Sequence, residues 1–231
     1  MNKDPRYATR FEAQLKLMKT NLDIVHSINH ATTGVLLDKE VQARSMQFMR
    51  YIIVWLLRLA SGQNLPKEQL RLPLPSDPPA VFSCLPQYFL EDIVANFKFI
   101  VRNVPDIITS TQSEEIMTIC ITFLRDTHYI QSPYLKAGLV TILFQGVWAY
   151  SSNAPRGVLG DVLNGSTFAH KHLLHALMTF YIQCESTGTH TQFYDKFNIR
   201  YEIFQVFKTV WGNAIYRDSL SKEAVYVIRL I

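Results

Sequence analysis

Histidine is the side chain best suited to move protons or hold a metal near neutral pH, and the sequence has seven of them. His26 and His30 stand four apart, which puts them on one face of a helix. Ser27 follows His26 where a metalloprotease helix needs its glutamate base, so the pair is expected to be surface histidines. The run "HKHLLH" adds His170, His172 and His175. His172 and His175 share a face, but a zinc centre needs three or four converging ligands. Asp161 and Glu185 are too far along the chain to be local partners. No metal site is expected.

Nucleophiles fare no better. Cys84, in "FSCLP", precedes an expected helix start, where a thiolate is mildly stabilised. The reading adopted is a buried structural cysteine. Cys120 and Cys184 lie far from it and from each other, without CxxC spacing, which argues against a zinc ribbon or thioredoxin-type centre. Three scattered thiols fit a reducing compartment. No GxSxG, P-loop or GxGxxG occurs. No catalytic residue and no cofactor is assigned.

The densest feature is aromatic: Phe193, Tyr194, Phe197, Tyr201, Phe204, Phe207 and Trp211 recur at steps of three and four. Core packing is expected for this series, in preference to a ligand or base-stacking platform. The residues of any binding surface are unknown at this level. The candidates are the proline-rich stretch from Leu72 to Pro86 and exposed positions near Asp195 and Arg200.

Composition narrows the classes. Hydrophobic residues make up 48% and charged residues 18%, below the usual quarter, so much surface is buried or apolar. The net charge is +4, yet no two basic residues are adjacent, which is unlike the concentrated charge of a nucleic-acid binder. "FMRYIIVWLLRLA" has only seven uninterrupted apolar residues between Arg50 and Arg58, too few to span a bilayer. Charges at Lys3, Asp4, Arg6, Arg10 and Glu12 break any signal-peptide core. The expectation is a cytoplasmic and nuclear protein with no nucleic-acid or membrane partner.

The elements that must carry these residues are helices. Phe11, Leu15, Met18, Leu22 and Val25 form one helical stripe, and a second helix is expected from about Asp38 to Ala60, buried on nearly all sides between Met46 and Leu59. Six of the ten prolines fall between Pro66 and Pro86, which predicts a linker packed against a surface or a joint between subdomains. A helix follows between Pro86 and Pro105. Thr111 and Glu114 have capping-box spacing for the next. Ser132 and Pro133 supply an N-cap and a first-turn proline, so Pro133 starts a helix and does not bend one. That helix is apolar on two sides and must lie between layers. Further helices are expected at about Thr167 to Glu185, from a capping box at Thr189 and Gln192 to about Ile215, and from Ser219 onward.

No strict period-two alternation competes. The fold class is all-α, an irregular armadillo- or HEAT-like stack, with helix starts every 20 to 35 residues. N-terminal helices occupy residues 1–60, a proline-rich connector 61–86, and the helical repeat core 87–231. The apolar ending "VYVIRLI" leads us to expect a slice of a longer solenoid.

Three stretches carry a family resemblance: "LPSDPPAVFSCLPQYFLEDI", "HYIQSPYLKAGLVTILF" and "LLHALMTFYIQCESTGTHTQFYDKFNIRYEIF". Together they resemble the core region of the ubiquitin conjugation factors that elongate ubiquitin chains, which are U-box ubiquitin ligases. The resemblance covers about Val41 to Ile231. It implies an armadillo-like core that holds ubiquitinated substrates and ubiquitin-bearing partners, with a downstream U-box recruiting the conjugating enzyme. It further implies work with a hexameric segregase ATPase and proteasome shuttle factors. These ligases position a thioester for attack by a lysine, so no residue here need be catalytic. Two positions depart from the family: Ser132 stands where Asn is usual, and Gly138 where Lys is usual, which alters an expected surface contact. No U-box lies within the 231 residues. Two functions are therefore expected in turn: part of the core of a chain-elongating ligase, or a non-catalytic helical adaptor for ubiquitin-pathway proteins.

Overall fold

The computed structural model describes residues 5–150, 152, 155–186 and 193–228, with side chains for 8–150, 152, 155–184 and 196–221. These residues form ten α-helices and no strand among the described residues, as the helical periodicity requires. Compactness divides the chain into Met1–Gln42 and Ala43–Ile231.

The first unit is α1 (Pro5–Leu36) and the start of α2 (Lys39–Ser61). The Asp38 carboxylate accepts the Val41 N–H at 2.9 Å and so caps α2. The Gln42 amide donates to the Leu36 carbonyl at 2.8 Å, satisfying a terminal acceptor of α1.

In the second unit α2 is amphipathic rather than buried all round. Met46, Ile53, Leu56, Leu57 and Ala60 face the core, whereas Phe48 and Tyr51 stay exposed. The expectation of burial on nearly all sides fails at these residues and at Trp55, while Arg50 and Ser45 tie the helix to its neighbours. Arg50 Nε donates to Glu115 Oε2 at 2.7 Å, and Asn96 Nδ2 to Ser45 Oγ at 2.8 Å.

The proline-rich stretch contains only the short α3 (Ala80–Ser83), and α4 (Tyr88–Asn103) follows it. Then comes α5 (Ser110–Arg125), whose capping box is Thr109 with Gln112, two residues earlier than Thr111 with Glu114. Both spacings satisfy the motif. The structure uses the earlier one, and the stretch from Ile116 to Leu124 is buried almost without interruption. Each large aliphatic or aromatic side chain so buried contributes about 1.5–3 kcal/mol.

The helix α6 (Pro133–Gly146) begins as Pro133 dictates, with the Ser132 hydroxyl accepting the Leu135 N–H. It packs against both α4 and α5 and is followed by α7 (Gly157–Gly165), an element the periodicity did not announce. Gly157 has φ +71°, and a Cβ there would sit 2.2 Å from the Gly146 carbonyl oxygen. Only glycine fits that position.

Next is α8 (Thr167–Ser186), which packs along α5. Then α9 (Phe193–Val210) crosses α6 and α8, and α10 (Ala214–Ile228) returns to α8. The helix expected to run to Ile215 stops at Val210, and the last begins at Ala214 rather than Ser219. Asn213 makes the break: its side-chain oxygen accepts the Ile215 N–H at 3.0 Å. Thr189 and Gln192 lie outside the described residues, as do the side chains of "VYVIRLI". No helix among the described residues is long and apolar enough to cross a membrane.

Candidate functional site

The proline-rich stretch is a clamped strap. Prolines deny it helical hydrogen bonds, so its backbone groups need partners elsewhere. Leu74 is buried, and its N–H donates to Asp126 Oδ2 at 3.0 Å. The Tyr129 hydroxyl donates to the Pro75 carbonyl at 3.0 Å and lies 3.3 Å from the Ala60 carbonyl. Phe82 stacks on Phe123 and meets the edge of Tyr129, each at 5.4 Å between centroids. Burial raises the Tyr129 pKa, with the Asp126 and Asp77 charges adding to it, so the phenol keeps its proton. The linker reading of this stretch thus becomes a packed strap. Its far end, from Pro78 to Pro86, lines a 220 Å³ cavity with His128, Tyr129 and Leu135.

Asp126 and Tyr129 were missed because they stand in a turn with no motif. Their partners are more than fifty residues away in sequence, a distance that periodicity does not reach.

The histidines separate. His26 and His30 stack at 6.3 Å on α1. His172 Nδ1 is hydrogen-bonded to the Arg125 guanidinium, so the ring accepts and is neutral. Burial pushes its pKa down to about 4, helped by the charges of Arg125, Lys171 and His175. His170 Nε2 instead lies 2.9 Å from the Asn164 carbonyl, and Asn213 Nδ2 donates to that same carbonyl at 3.1 Å. The Tyr216 hydroxyl donates to the neighbouring Leu163 carbonyl. "HKHLLH" therefore faces two different polar networks.

Cys84 is exposed, contrary to the buried reading. In the single turn of α3 Phe82 takes the inward position, which leaves Cys84 outside. Cys120 and Cys184 are buried, and desolvation raises the Cys120 pKa well above the usual thiol range.

The aromatic series of α9 reverses expectation except at Phe207, which is half-buried and packs against the core as expected. The buried stripe is aliphatic: Ile199, Ile203, Val206 and Val210. Phe197, Tyr201, Phe204 and Trp211 are 60%, 46%, 56% and 54% exposed, so they form a surface row and not core. Phe193 and Tyr194 lie outside the described side chains. Tyr201 meets Phe144 of α6 at 5.9 Å, Phe144 meets Trp148 at 5.8 Å, and Phe204 meets Tyr181 of α8 at 6.1 Å. Isolated exposed aromatics are ordinary, but a contiguous row rimmed by polar groups marks an interaction surface. Beneath it Glu202 accepts from the Thr141 hydroxyl at 2.7 Å. Burial raises the Glu202 pKa, opposed by that hydrogen bond and by Lys98. Arg200 is half-buried on the same helix, and Asp195 lies outside the described side chains.

Residues 1–227 match a family model described as the ubiquitin elongating factor core. Ubiquitin conjugation factor E4 of Schizosaccharomyces pombe is 39% identical over 218 residues, covering 94% of this chain and 21% of that protein. The probable ubiquitin conjugation factor E4 of Arabidopsis thaliana is 31% identical over 190 residues, 82% of this chain and 17% of the relative. E4 ubiquitin-protein ligase UFD2 of Saccharomyces cerevisiae is 27% identical over 215 residues, 85% of this chain and 22% of that protein. The chain thus spans about a fifth of the length of these curated relatives.

Proposed function

Because the chain belongs to the ubiquitin elongating factor core family, we propose that it is the scaffold portion of a ubiquitin chain-elongating ligase. In this reading the helices hold ubiquitinated substrate and ubiquitin-bearing partners, while a U-box elsewhere in the parent protein recruits the charged conjugating enzyme. The arrangement is an armadillo-like stack. The segregase ATPase and the proteasome shuttle factors are its further partners, in cytosol and nucleus.

The observation that carries the reading is the 39% identity to the fission yeast factor across 94% of the chain. The exposed aromatic row on α9 and the strap beside its cavity support it as surfaces for macromolecules. The test is a graft. The matching 218 residues of the fission yeast factor are replaced by this chain, and elongation of a mono-ubiquitinated substrate is followed with purified components. A folded graft that elongates supports the scaffold. A folded graft that binds ubiquitinated substrate without extending chains favours the adaptor.

A further inference from the structure

The apolar stripe of α1 takes no part in the surfaces described above. From Ala8 to Leu36 every side chain of this helix is exposed. Phe11, Leu15, Met18, Leu22 and Val25 alternate steps of four and three, and Asn29, Thr32 and Leu36 continue the same alternation. The period is therefore about 3.5 residues from Phe11 to Leu36, the repeat of a left-handed coiled coil. Leu15, Leu22, Asn29 and Leu36 take the a positions of its heptads, and Phe11, Met18, Val25 and Thr32 the d positions. A second exposed stripe runs beside the first. Its Ile28 and Val35 stand at g and broaden the seam, whereas Leu17 and Ile24 stand at c, outside it.

From this pattern we propose that α1 is a self-association helix, which pairs in parallel and in register with α1 of a second copy of this chain. Asn29 selects both the partner and the direction. It is the one carboxamide in a seam that is otherwise apolar but for Thr32. In α1 alone its Oδ1 takes a long bond of 3.5 Å from the Thr33 hydroxyl. A parallel pair sets a against a, so each Asn29 meets the Asn29 of the other copy and the two carboxamides bond to each other. An antiparallel pair sets a against d. At its greatest overlap Asn29 then faces Met18, and two carboxamides are buried without partners. A foreign helix would need a polar group at this same level, which a second copy supplies by symmetry.

The flanks of the seam permit this pairing. In a parallel pair each g residue faces the e residue of the next heptad in the other copy. Gln14 then faces Lys19, Asn21 faces His26, and Ile28 faces Thr33, so no like charges meet. The pairing is independent of the scaffold reading, since it draws only on α1. It gives an assembly two copies of each surface on the second unit.

The experiment is sedimentation equilibrium of the whole chain at micromolar concentration, with two substitutions on α1. We expect the parent to sediment as a dimer of the 26.6 kDa chain. Leu22→Glu places a charge in the seam and should weaken association by about a hundredfold or more. Leu17→Glu carries the same charge outside the seam and should leave the dimer intact. Direction is read from Thr32→Cys in a Cys84→Ser background under mild oxidation. A parallel, in-register pair brings the two introduced thiols together at one d level, and a disulfide-linked dimer should form. A monomeric parent overturns the proposal, as does a parent that forms trimers or larger species. Equal weakening by Leu17→Glu and Leu22→Glu overturns the seam, and a dimer that gives no Thr32→Cys crosslink overturns the parallel register.

Discussion

The Asp126 carboxylate accepts the backbone N–H of Leu74 at 3.0 Å, and both residues are buried. This bond pins a proline-rich strap, which has few backbone bonds of its own, to the end of the most buried helix. Removing the acceptor leaves a buried donor without a partner. We expect Asp126→Ala to cost about 1–3 kcal/mol, read as a fall in thermal midpoint of about 2–4 °C per kcal/mol for a domain of this size. Asp126→Asn keeps an acceptor and should lose less. Equal losses would mean that the strap does not depend on this bond.

The two stripes of α9 separate cleanly by mutation. Ile203 is fully buried, so Ile203→Ala should cost about 2–5 kcal/mol through the cavity it leaves. Phe197 is 60% exposed, and Phe197→Ala should fall within about 0.5 kcal/mol of the parent. Chemical denaturation of the two variants decides whether the aliphatic or the aromatic stripe is the core.

Gly138 permits a close approach of α6 to α4, since a Cβ there would lie 3.2 Å and 3.3 Å from the two Val94 methyls. The resemblance led to the expectation of an altered surface contact, whereas the position is a helix–helix contact. Gly to Ala in a helix normally gains about 1 kcal/mol. We expect Gly138→Ala to show no net gain, and the gain to return in a Val94→Ala background. A double-mutant cycle measures this, and additivity would contradict it.

His172 should make the protein acid-sensitive. Its folded pKa of about 4 lies below the ordinary 6.5, so the unfolded chain binds the extra proton between those values. Stability from this group is present above pH 6.5 and is lost as pH falls toward 4. The ring is part-exposed, so after allowance for solvent screening the effect is about 1 kcal/mol. Glu202 acts with opposite sign, since a raised carboxyl pKa favours the folded state as the pH falls. Comparing His172→Gln with the parent cancels that contribution. The variant should lose less stability than the parent between pH 7 and pH 4.5, and a parallel pair of pH profiles would contradict the assignment.

Local chemistry was legible in the sequence wherever it was unambiguous. Ser132 and Pro133 set a helix start within three residues, and the structure has it there. Legibility failed where two local solutions coexist. Thr109 with Gln112 and Thr111 with Glu114 satisfy the same capping rule, and the structure uses the first. On α9 the steps of three and four fit both Phe197–Tyr201–Phe204 and Ile199–Ile203–Val206, and side-chain size pointed to the wrong face. The helix α7, with three glycines in nine residues, has too little propensity to announce itself and depends on its neighbours. The strap's anchors join residues more than fifty apart, which one chain read in order does not reveal.

The most direct measurement is the length of ubiquitin chains made by the fission yeast factor after its matching 218 residues are exchanged for this chain. We expect chain lengthening close to that of the parent factor, and loss of it when the same region is deleted. A graft that folds, binds its conjugating enzyme, and yet adds no ubiquitin beyond the first would contradict the scaffold.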